Sequence, residues 1–379
     1  MEEWKSYKLV DFIEFNPTIS LKKGTMARKI TMDQLTPHSR DIYSWGYEPY
    51  SGGAKFQNGD TIMARITPCL ENGKHAYISL LDEGETAYGS TEYIVMRSKP
   101  GISDNRFVYY LSHYPDFKNA AIKSMVGSSG RQRAQVDVLK NLEFYLPGLE
   151  QQKQIADTLS VLDDKIALNN RINHNLEEQA QALYKSWFVD FDPFKGGKFV
   201  DSELGMIPEG WTVAPLGCIA TISSGKRPPF KSTVQNEEYQ IPVLGASSVM
   251  AYTSEYLIEG LYIITGRVGT LGELQRVKGK IWPSDNTLVI SSDYYNFVYQ
   301  VLREVDYSSL NRGSTQPLLT QSDLKSWPIV LPPEDVLNRF ESCSLSLTSS
   351  ILMNIEQNGV LRNVRDSILP VLMHDGINS

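Results

Sequence analysis

The sequence has few cysteines and no long apolar run, and each absence excludes a class of protein. The 3 cysteines, Cys69, Cys218 and Cys343, lie far apart and are odd in number. They predict neither a disulfide framework nor a zinc site, and we interpret them as small core residues. No apolar run approaches the ~20 residues of a transmembrane helix. The first residues show no signal-peptide pattern, so we expect a cytoplasmic protein with no membrane partner.

The motifs of common enzyme classes are also missing. Gly225-Lys226 lacks the glycine spacing and the following Ser or Thr of a phosphate-binding loop. There is no G-x-S-x-G turn and no H-E-x-x-H helix, and none of the 5 histidines has ligand spacing. Residues 16–19 (NPTI) resemble the Asn-Pro-Pro-aromatic tetrapeptide of amino-methyltransferases, but two of its four residues are replaced and no glycine-rich cofactor loop is found. The sequence therefore predicts no catalytic residue and no metal site, and an enzyme is the least favoured alternative.

What the sequence does contain is a long heptad pattern that occurs twice. Each copy has apolar residues seven positions apart and one asparagine at the same place. Such spacing packs helices lengthwise, and a buried asparagine fixes their register at some cost in stability. We predict a helix-pair seam of Ile155, Leu162, Asn169, Leu176 and Leu183 in one helix and Phe340, Leu347, Asn354, Leu361 and Ile368 in the other.

The two heptad patterns divide the chain into globules and helices. The globules contain short apolar or alternating runs between glycine-rich turns, which predict mixed α/β structure. Trp4 recurs as Trp211 and Arg65 as Arg267, so a duplicated module is indicated, although the globules otherwise share little. The predicted domains are 1–147, a first globule; 148–192, a first helix; 193–210, a linker rich in glycine and proline; 211–332, a second globule; and 333–379, a second helix and tail.

The net charge of −7 is unevenly distributed, because the two helices are acidic and the two globules are close to neutral. Proteins that bind polyanions usually show the opposite bias, so total charge argues weakly against nucleic acid. Local clusters override a neutral total, however. Polar and basic side chains gather on the glycine-rich turns of both globules.

These turn residues are candidate DNA contacts. Arg and Lys pair with guanine edges or phosphates, and Gln and Asn pair with adenine edges. The alternative for any single residue is an ordinary solvated turn. The candidates are Lys22, Lys23, Arg28, Lys29, Arg65, Asn72, Lys74, Ser128, Ser129, Arg131, Gln132 and Arg133 in the first globule and Ser224, Lys226, Arg227, Arg267, Arg276, Lys278, Arg312 and Gln316 in the second.

Several motifs resemble the specificity subunits of type I restriction–modification systems. Residues 146–156 (LPGLEQQKQIA), followed by 162–166 (LDDKI), look like the spacer-helix signature of that family. Residues 183–194 (LYKSWFVDFDPF) and 207–211 (IPEGW) are similar to it as well. The segments 224–228 (SGKRP) and 313–316 (GSTQ) extend the resemblance over nearly the whole chain.

The resemblance implies an α+β fold class and a function. Two mixed α/β target-recognition domains would be separated by two long antiparallel coiled-coil helices, as an internal pseudo-twofold repeat. Each domain would read one half of a bipartite, asymmetric DNA target. The helices would set the spacing between the half-sites, and the complex would serve in defence against foreign DNA.

The resemblance also implies double-stranded DNA and two kinds of protein partner. In this family the subunit is not catalytic. It recruits two adenine-methyltransferase subunits and, in the full complex, two restriction (translocase–nuclease) subunits. S-adenosylmethionine, ATP and Mg belong to those partners, so no cofactor is expected on this chain. A modification-only complex, and a coiled-coil scaffold with two ligand-binding globules and no DNA role, remain alternatives.

Overall fold

The computed structural model describes residues 4–233, 235–269, 271–313 and 317–374. The chain divides into two units, the first formed by residues 1–169 and 357–379 and the second by residues 170–356. Each unit contains one α/β domain and parts of the same two long helices. Within the described ranges, no helix is long and apolar enough to cross a membrane.

The domain of the first unit contains short strands and short helices. Its helices are α1 (Leu9–Phe12), α2 (Asn105–His113), α3 (Pro115–Lys123) and α4 (Val136–Lys140). Its strands are β1 (Lys5–Lys8), β2 (Ile13–Phe15), β3 (Met26–Ile30), β4 (Gly46–Pro49), β5 (Lys55–Phe56), β6 (Thr61–Ala64), β7 (His75–Tyr77), β8 (Ala87–Gly89), β9 (Tyr93–Ser98) and β10 (Glu143–Leu146).

These strands form two four-stranded sheets and one two-stranded ribbon. The first sheet has the order β2-β9-β6-β7, the second has the order β4-β3-β8-β5, and β1 pairs with β10. Only the β3–β8 pair is parallel. Successive side chains of a strand point to opposite faces of the sheet. All residues of β6 are nevertheless buried. Ile62 packs in one core and Met63 in another, so the first sheet is covered on both faces.

The domain of the second unit has one large sheet. Its short helices are α6 (Tyr295–Glu304) and α7 (Gln321–Lys325). Its strands are β13 (Thr212–Pro215), β14 (Thr221–Ser224), β15 (Ile241–Leu244), β16 (Val249–Thr253), β17 (Ile258–Gly266), β18 (Leu274–Pro283), β19 (Thr287–Ser291) and β20 (Pro328–Leu331). The six strands of the large sheet follow the order β14-β19-β17-β18-β15-β16, and β13 pairs with β20.

The predicted linker at residues 193–210 is partly regular structure. Its strands β11 (Phe199–Ser202) and β12 (Gly205–Pro208) form an antiparallel hairpin. The turn contains Gly205, whose φ of +96° suits glycine. Ile207 is buried in the same core as Trp211. Glycine and proline in this segment therefore mark tight turns, and the predicted linker contains a short hairpin.

The two long helices are α5 (Leu149–Phe188) and α8 (Glu334–His374). Helix α5 ends before Phe191, whose φ of +53° is left-handed and which precedes Asp192-Pro193. The start of α5 is fixed by Gln152, which is fully buried. Its amide donates to the carbonyl oxygens of Ile102 (2.9 Å) and Pro147 (2.8 Å) and accepts from the backbone N–H of Asp104 (2.8 Å).

The two long helices run antiparallel within each unit, which confirms that prediction. In the first unit, Asn169 Nδ2 donates to Asn358 Oδ1 at 2.9 Å. Asp163 lies nearer the start of α5 and pairs with Arg365, nearer the end of α8. In the second unit, Asn354 Nδ2 donates to Asn173 Oδ1 at 2.8 Å. The shift that places Asn169 on Asn354 also places Asn173 on Asn358, so both copies of the module contain the same asparagine pair.

The structure changes the composition of the predicted seam. Ile155 and Phe340 pack within the domain cores of the first and second unit, respectively. Asn169 and Asn354 bond to other asparagines and not to each other. Of the ten predicted seam residues, Ile155, Asn169 and Phe340 are buried, and the other seven are half-buried. The most buried positions of the helix pair also include polar residues that apolar spacing does not detect, such as Asp163 and Arg365.

The cysteines are not core residues, contrary to the prediction. Cys218 and Cys343 are exposed and Cys69 is half-buried. Within the residues described here, all three are free, as their separation in the sequence indicates.

Candidate nucleic-acid interface

In the first unit, the loop between α3 and α4 lies against the end of strand β6. Residues Val126 and Arg133 close the loop through two backbone hydrogen bonds of 3.1 and 2.9 Å. The N–H of Thr67 donates to the Gln132 carbonyl oxygen at 3.0 Å. Gly127, with a φ of +139°, lies so close to Arg131 that a side chain would crowd its carbonyl oxygen. A backbone of this shape requires glycine, and it brings the predicted residues 128–133 beside Arg65.

The side chains of this loop differ in how they are held. Arg133 forms hydrogen bonds of 2.7 to 2.9 Å with both carboxylate oxygens of Glu92, which raises the pKa of Arg133. The predicted contacts that are exposed are Ser128, Ser129 and Arg131, while Gln132 is half-buried. The exposed residues are free to meet a ligand, whereas Arg133 serves first to hold the loop.

The predicted residues of the β6–β7 connection are similarly divided. Asn72 is exposed. Lys74 is half-buried, and its Nζ donates to the Met32 carbonyl oxygen at 2.7 Å.

A second group of predicted contacts lies on and before strand β3, in the other sheet of the first domain. Lys22 and Lys23 are exposed. Arg28 pairs with Asp82 at 2.9 Å and Glu85 at 3.3 Å. Its guanidinium also lies 5.3 Å from the Trp45 ring centre.

The neighbouring Lys29 is also held within the protein. Its Nζ pairs with Glu48 at 2.7 Å, and this hydrogen bond raises the lysine pKa. On this sheet the two lysines of the turn are thus more available than the two cations of the strand.

In the second unit, the turn after strand β14 is pressed against the end of β18. A side chain at Gly225 would overlap the carbonyl oxygens of Pro283 and Ser284. The N–H of Lys226 donates to the Pro283 carbonyl oxygen at 3.0 Å, and Trp282 Nε1 donates to the Lys226 carbonyl oxygen at 2.7 Å. The Lys226 side chain is exposed. Glycine is thus required by close backbone approach, and the turn presents a lysine to solvent.

Ser224 connects this turn with two neighbouring segments. Its hydroxyl oxygen accepts from Gln321 Nε2 at 2.8 Å and from Arg267 Nη1 at 3.5 Å. Sequence reasoning missed Gln321. The signal was the capping box formed by Thr320 and Asp323, which places Gln321 in the first turn of α7.

The other predicted cations of the second domain have different surroundings. Arg227 is exposed, with Asp285 3.9 Å away. Arg312 pairs with Asp323. Burial raises the pKa of Asp323, but hydrogen bonds from Thr320 and Arg312 outweigh it and hold the pKa below its usual range. Lys278 is exposed on strand β18, and Gln316 lies outside the described residues.

The prediction that Arg276 contacts DNA is wrong, because its side chain is 2% exposed. Arg276 Nε donates to Glu177 Oε1 of helix α5 at 2.7 Å. The guanidinium also lies 3.5 Å from the ring centre of Tyr299. Burial lowers the pKa of Arg276, but Glu177 raises it more, so the group stays charged. Arg276 attaches the sheet to the long helix.

The chain was compared with known protein families and sequences. A family model described as "Type I restriction modification DNA specificity domain" matches residues 1–178 and 208–339. The MjaIX specificity subunit of a type I restriction enzyme from Methanocaldococcus jannaschii is 32% identical over 298 residues, covering 71% of this chain and 68% of the relative. The HindI specificity subunit from Haemophilus influenzae is 22% identical over 478 residues and covers 100% of both.

Solved structures of the same kind are also similar. The S subunit of a type I restriction–modification system from M. genitalium matches with a TM-score of 0.46 and 16% identity, covering 98% of this chain and 96% of that one. The HsdS subunit from Thermoanaerobacter tengcongensis matches with a TM-score of 0.40 and 16% identity, covering 99% and 97%. The family model covers most of the chain in two copies, one for each α/β domain. The chain therefore belongs to the type I restriction–modification DNA specificity family.

Proposed function

We propose that this chain is the specificity subunit of a type I restriction–modification complex, in which each α/β domain reads one half of a bipartite, asymmetric DNA target. The observation that carries the proposal is the double match of the DNA specificity model, once to each domain. The exposed polar residues on glycine-rich turns support it, since Arg, Lys and Gln are suited to base edges and phosphates.

The two long helices would set the spacing between the half-sites and dock the partner subunits. Two adenine-methyltransferase subunits would pack on them, and two restriction subunits would join through these. Several large apolar side chains of the helices are exposed and support docking, because extended exposed apolar patches mark protein–protein interaction sites. In the first unit Val161 is 66% exposed and Val360 58%; in the second unit Met353 is 68% exposed and Leu345 60%.

The chemistry would belong to the partners. S-adenosylmethionine would bind the methyltransferase subunits, and ATP with Mg would bind the restriction subunits. The chain itself would bind no cofactor and catalyse no step. Its residues would select the DNA sequence on which the partners act. If no restriction subunit is present, the same selection would direct methylation alone.

Long-read sequencing of methylated adenines tests this function. A strain carrying the gene is compared with a deletion strain and with the deletion strain complemented by the gene. We expect one bipartite motif to lose methylation in the deletion strain and to regain it on complementation. If methylation is unchanged across the genome, the remaining alternative is a coiled-coil scaffold that has no DNA role.

A further inference from the structure

Two arginines occupy the same backbone position in the two domains. Arg65 follows strand β6, and its N–H donates to the Glu92 carbonyl oxygen (2.9 Å) while its own carbonyl oxygen accepts from Ala134 (2.8 Å). Arg267 follows strand β17, and its N–H donates to Asn286 (2.9 Å) while its carbonyl oxygen accepts from Leu319 (2.8 Å).

The surrounding strands and loops correspond as well. Strand β6 pairs with β9, and strand β17 pairs with β19. The residue after each arginine forms an isolated bridge with the loop that leads to the next short helix, Ile66 with Arg133 and Val268 with Leu318. Each arginine therefore lies at a strand end, beside the same loop, in a domain that otherwise differs from its counterpart.

Among the described residues, both arginines also lack an internal counter-charge. In the described parts of residues 1–147 and 211–332, every arginine except Arg65, Arg131 and Arg267 has a carboxylate oxygen within 4.0 Å. The Nε atoms of Arg65 and Arg267 are buried without a hydrogen-bond partner. Arg131 differs because it is exposed and has no buried unpartnered atom.

A guanidinium that is partly removed from water without a carboxylate has an unfavourable desolvation energy. Glu92 accepts the Arg65 N–H at its backbone carbonyl oxygen, but its carboxylate is already held by Arg133. The arrangement suits an anion supplied from outside the chain. Two domains that read different half-sites share only one anionic feature of their ligand, the phosphate backbone, which guanidinium groups bind through paired N–H donors.

We propose that Arg65 and Arg267 are equivalent phosphate contacts, one in each domain, that position the domain on the duplex without reading its sequence. The inference rests on the proposed function, since it takes double-stranded DNA as the ligand. It separates these two arginines from the exposed turn residues such as Lys226 and Arg131, which are left to discriminate bases.

The salt dependence of DNA binding tests the proposal. The complex of this chain with its methyltransferase subunits is titrated with a duplex containing the methylated motif and with duplexes in which one half-site is scrambled. Replacing Arg65→Ala or Arg267→Ala should weaken binding to all duplexes by the same factor, about tenfold. Each replacement should also reduce the slope of log K against log salt concentration by about 0.9, and the double replacement by about twice that.

Matched variants make the outcome decisive. Lys8→Ala and Lys325→Ala remove the same charge from exposed positions outside the candidate set and should leave the slope unchanged. Arg65→Lys and Arg267→Lys keep the charge and should keep the slope, even if the alanine variants fold poorly. Loss of the slope in the lysine variants, or an alanine effect confined to duplexes with an intact half-site, would overturn the phosphate role.

The proposed function would fail differently. In that case the complex without any substitution would bind the motif and the scrambled duplexes equally.

Discussion

The first and second units attach their domains to the long helices by different contacts. In the first unit, Arg365 of helix α8 is 3% exposed; its Nη1 donates to Asp163 Oδ1 of helix α5 at 2.6 Å. Tyr110 of the domain donates its hydroxyl to the other Asp163 oxygen at 2.7 Å. In the second unit, one such contact comes from the sheet, where Arg276 meets Glu177 of helix α5.

The difference follows from the repeat. The shift that places Asn169 on Asn354 places Asp163 on Thr348 and Arg365 on Ala180, so the second unit has no equivalent ion pair. Thr348 instead lies among the buried polar residues of the second unit. The asparagine pairs were retained in both copies, whereas the contacts between helix and domain diverged. A common helical scaffold thus accepts domains of different construction.

Lengthening the shared scaffold should have the largest effect. If the helices set the half-site spacing, one heptad inserted after Asn170 and a matching one after Glu356 would keep both asparagine pairs. Seven residues add about 10 Å of helix, which corresponds to about three base pairs of unread sequence. Methylated-adenine sequencing would measure the gap in the motif.

A heptad in α5 alone is the control, since it separates Asn173 from Asn354 and should abolish methylation. A motif of unchanged gap in the strain with both insertions would refute the spacing role of the helices.

Replacing one arginine in each unit should show that the two domains are attached to the long helices by contacts of different strength. Arg365→Ala leaves Asp163 buried without a cation, which costs about 3–5 kcal/mol of stability. Arg276→Ala should cost less, about 2 kcal/mol, because Glu177 retains contact with water and mainly the ring contact is lost. Amide hydrogen exchange in α2 reports the first effect and in α6 the second.

Arg106→Ala is the matched control for these two variants, because Arg106 also joins a domain to helix α5 through Asp157 but is 36% exposed. It should cost less than about 1 kcal/mol. An equal loss in all three variants would contradict the comparison.

Acid should destabilise the first unit before the second. Burial lowers the pKa of His38 to about 4 and of His113 to about 3, and it lowers the pKa of His75 as well. In the unfolded chain these histidines bind a proton near pH 6.5, but in the folded unit they do not. Their contribution to the free energy of unfolding is therefore fully present above that pH and is lost as the pH falls towards 4. The loss is about 1.4 kcal/mol per pH unit for each histidine.

The second unit supplies the internal reference, because its described histidine, His174, is exposed. Hydrogen exchange at pH 7 and pH 5, expressed relative to the intrinsic amide exchange rate at each pH, should show acceleration in α2 and little change in α6. Equal acceleration in both helices would contradict this assignment.

The asparagine pair should give the smallest effect. Asn169→Leu removes the donor of the 2.9 Å hydrogen bond to Asn358 Oδ1 in a buried position and should cost about 1–3 kcal/mol. The double replacement Asn169→Leu with Asn358→Leu should recover most of the loss, since two apolar groups of similar size need no hydrogen bond. Thermal unfolding of both variants measures the coupling. A double replacement as unstable as the sum of the single ones would show that the asparagines do not act as a pair.

The helices could be predicted from heptad spacing and their antiparallel direction from the family resemblance, but the polar part of their interface could not. Heptad spacing identifies Ile155 and Phe340 as buried positions because apolar residues repeat there, although both pack within the domain cores. Asp163 and Arg365 look like surface charges in the sequence, and only the fold brings them together and removes them from water. Burial of a charge depends on its partner, which lies far away in the chain.

The candidate site shows the same limit. Glycine-rich turns located residues 128–133 and 225–227 correctly as loops, because close backbone approach demands glycine there. Arg276 could not be separated from the surface cations, since it lies on a strand next to exposed lysines. The correspondence of Arg65 and Arg267 was visible in the sequence as a repeat, but their missing counter-charge is visible only in the structure.

Exchange of one domain tests the central claim most directly. Residues 1–147 are replaced by the corresponding domain of a relative with a different target, and methylated adenines are mapped in a strain that expresses the hybrid. If each domain reads its own half-site, one half of the motif will change and the other half and the gap between them will stay the same. A hybrid that methylates a motif altered in both halves would contradict the account.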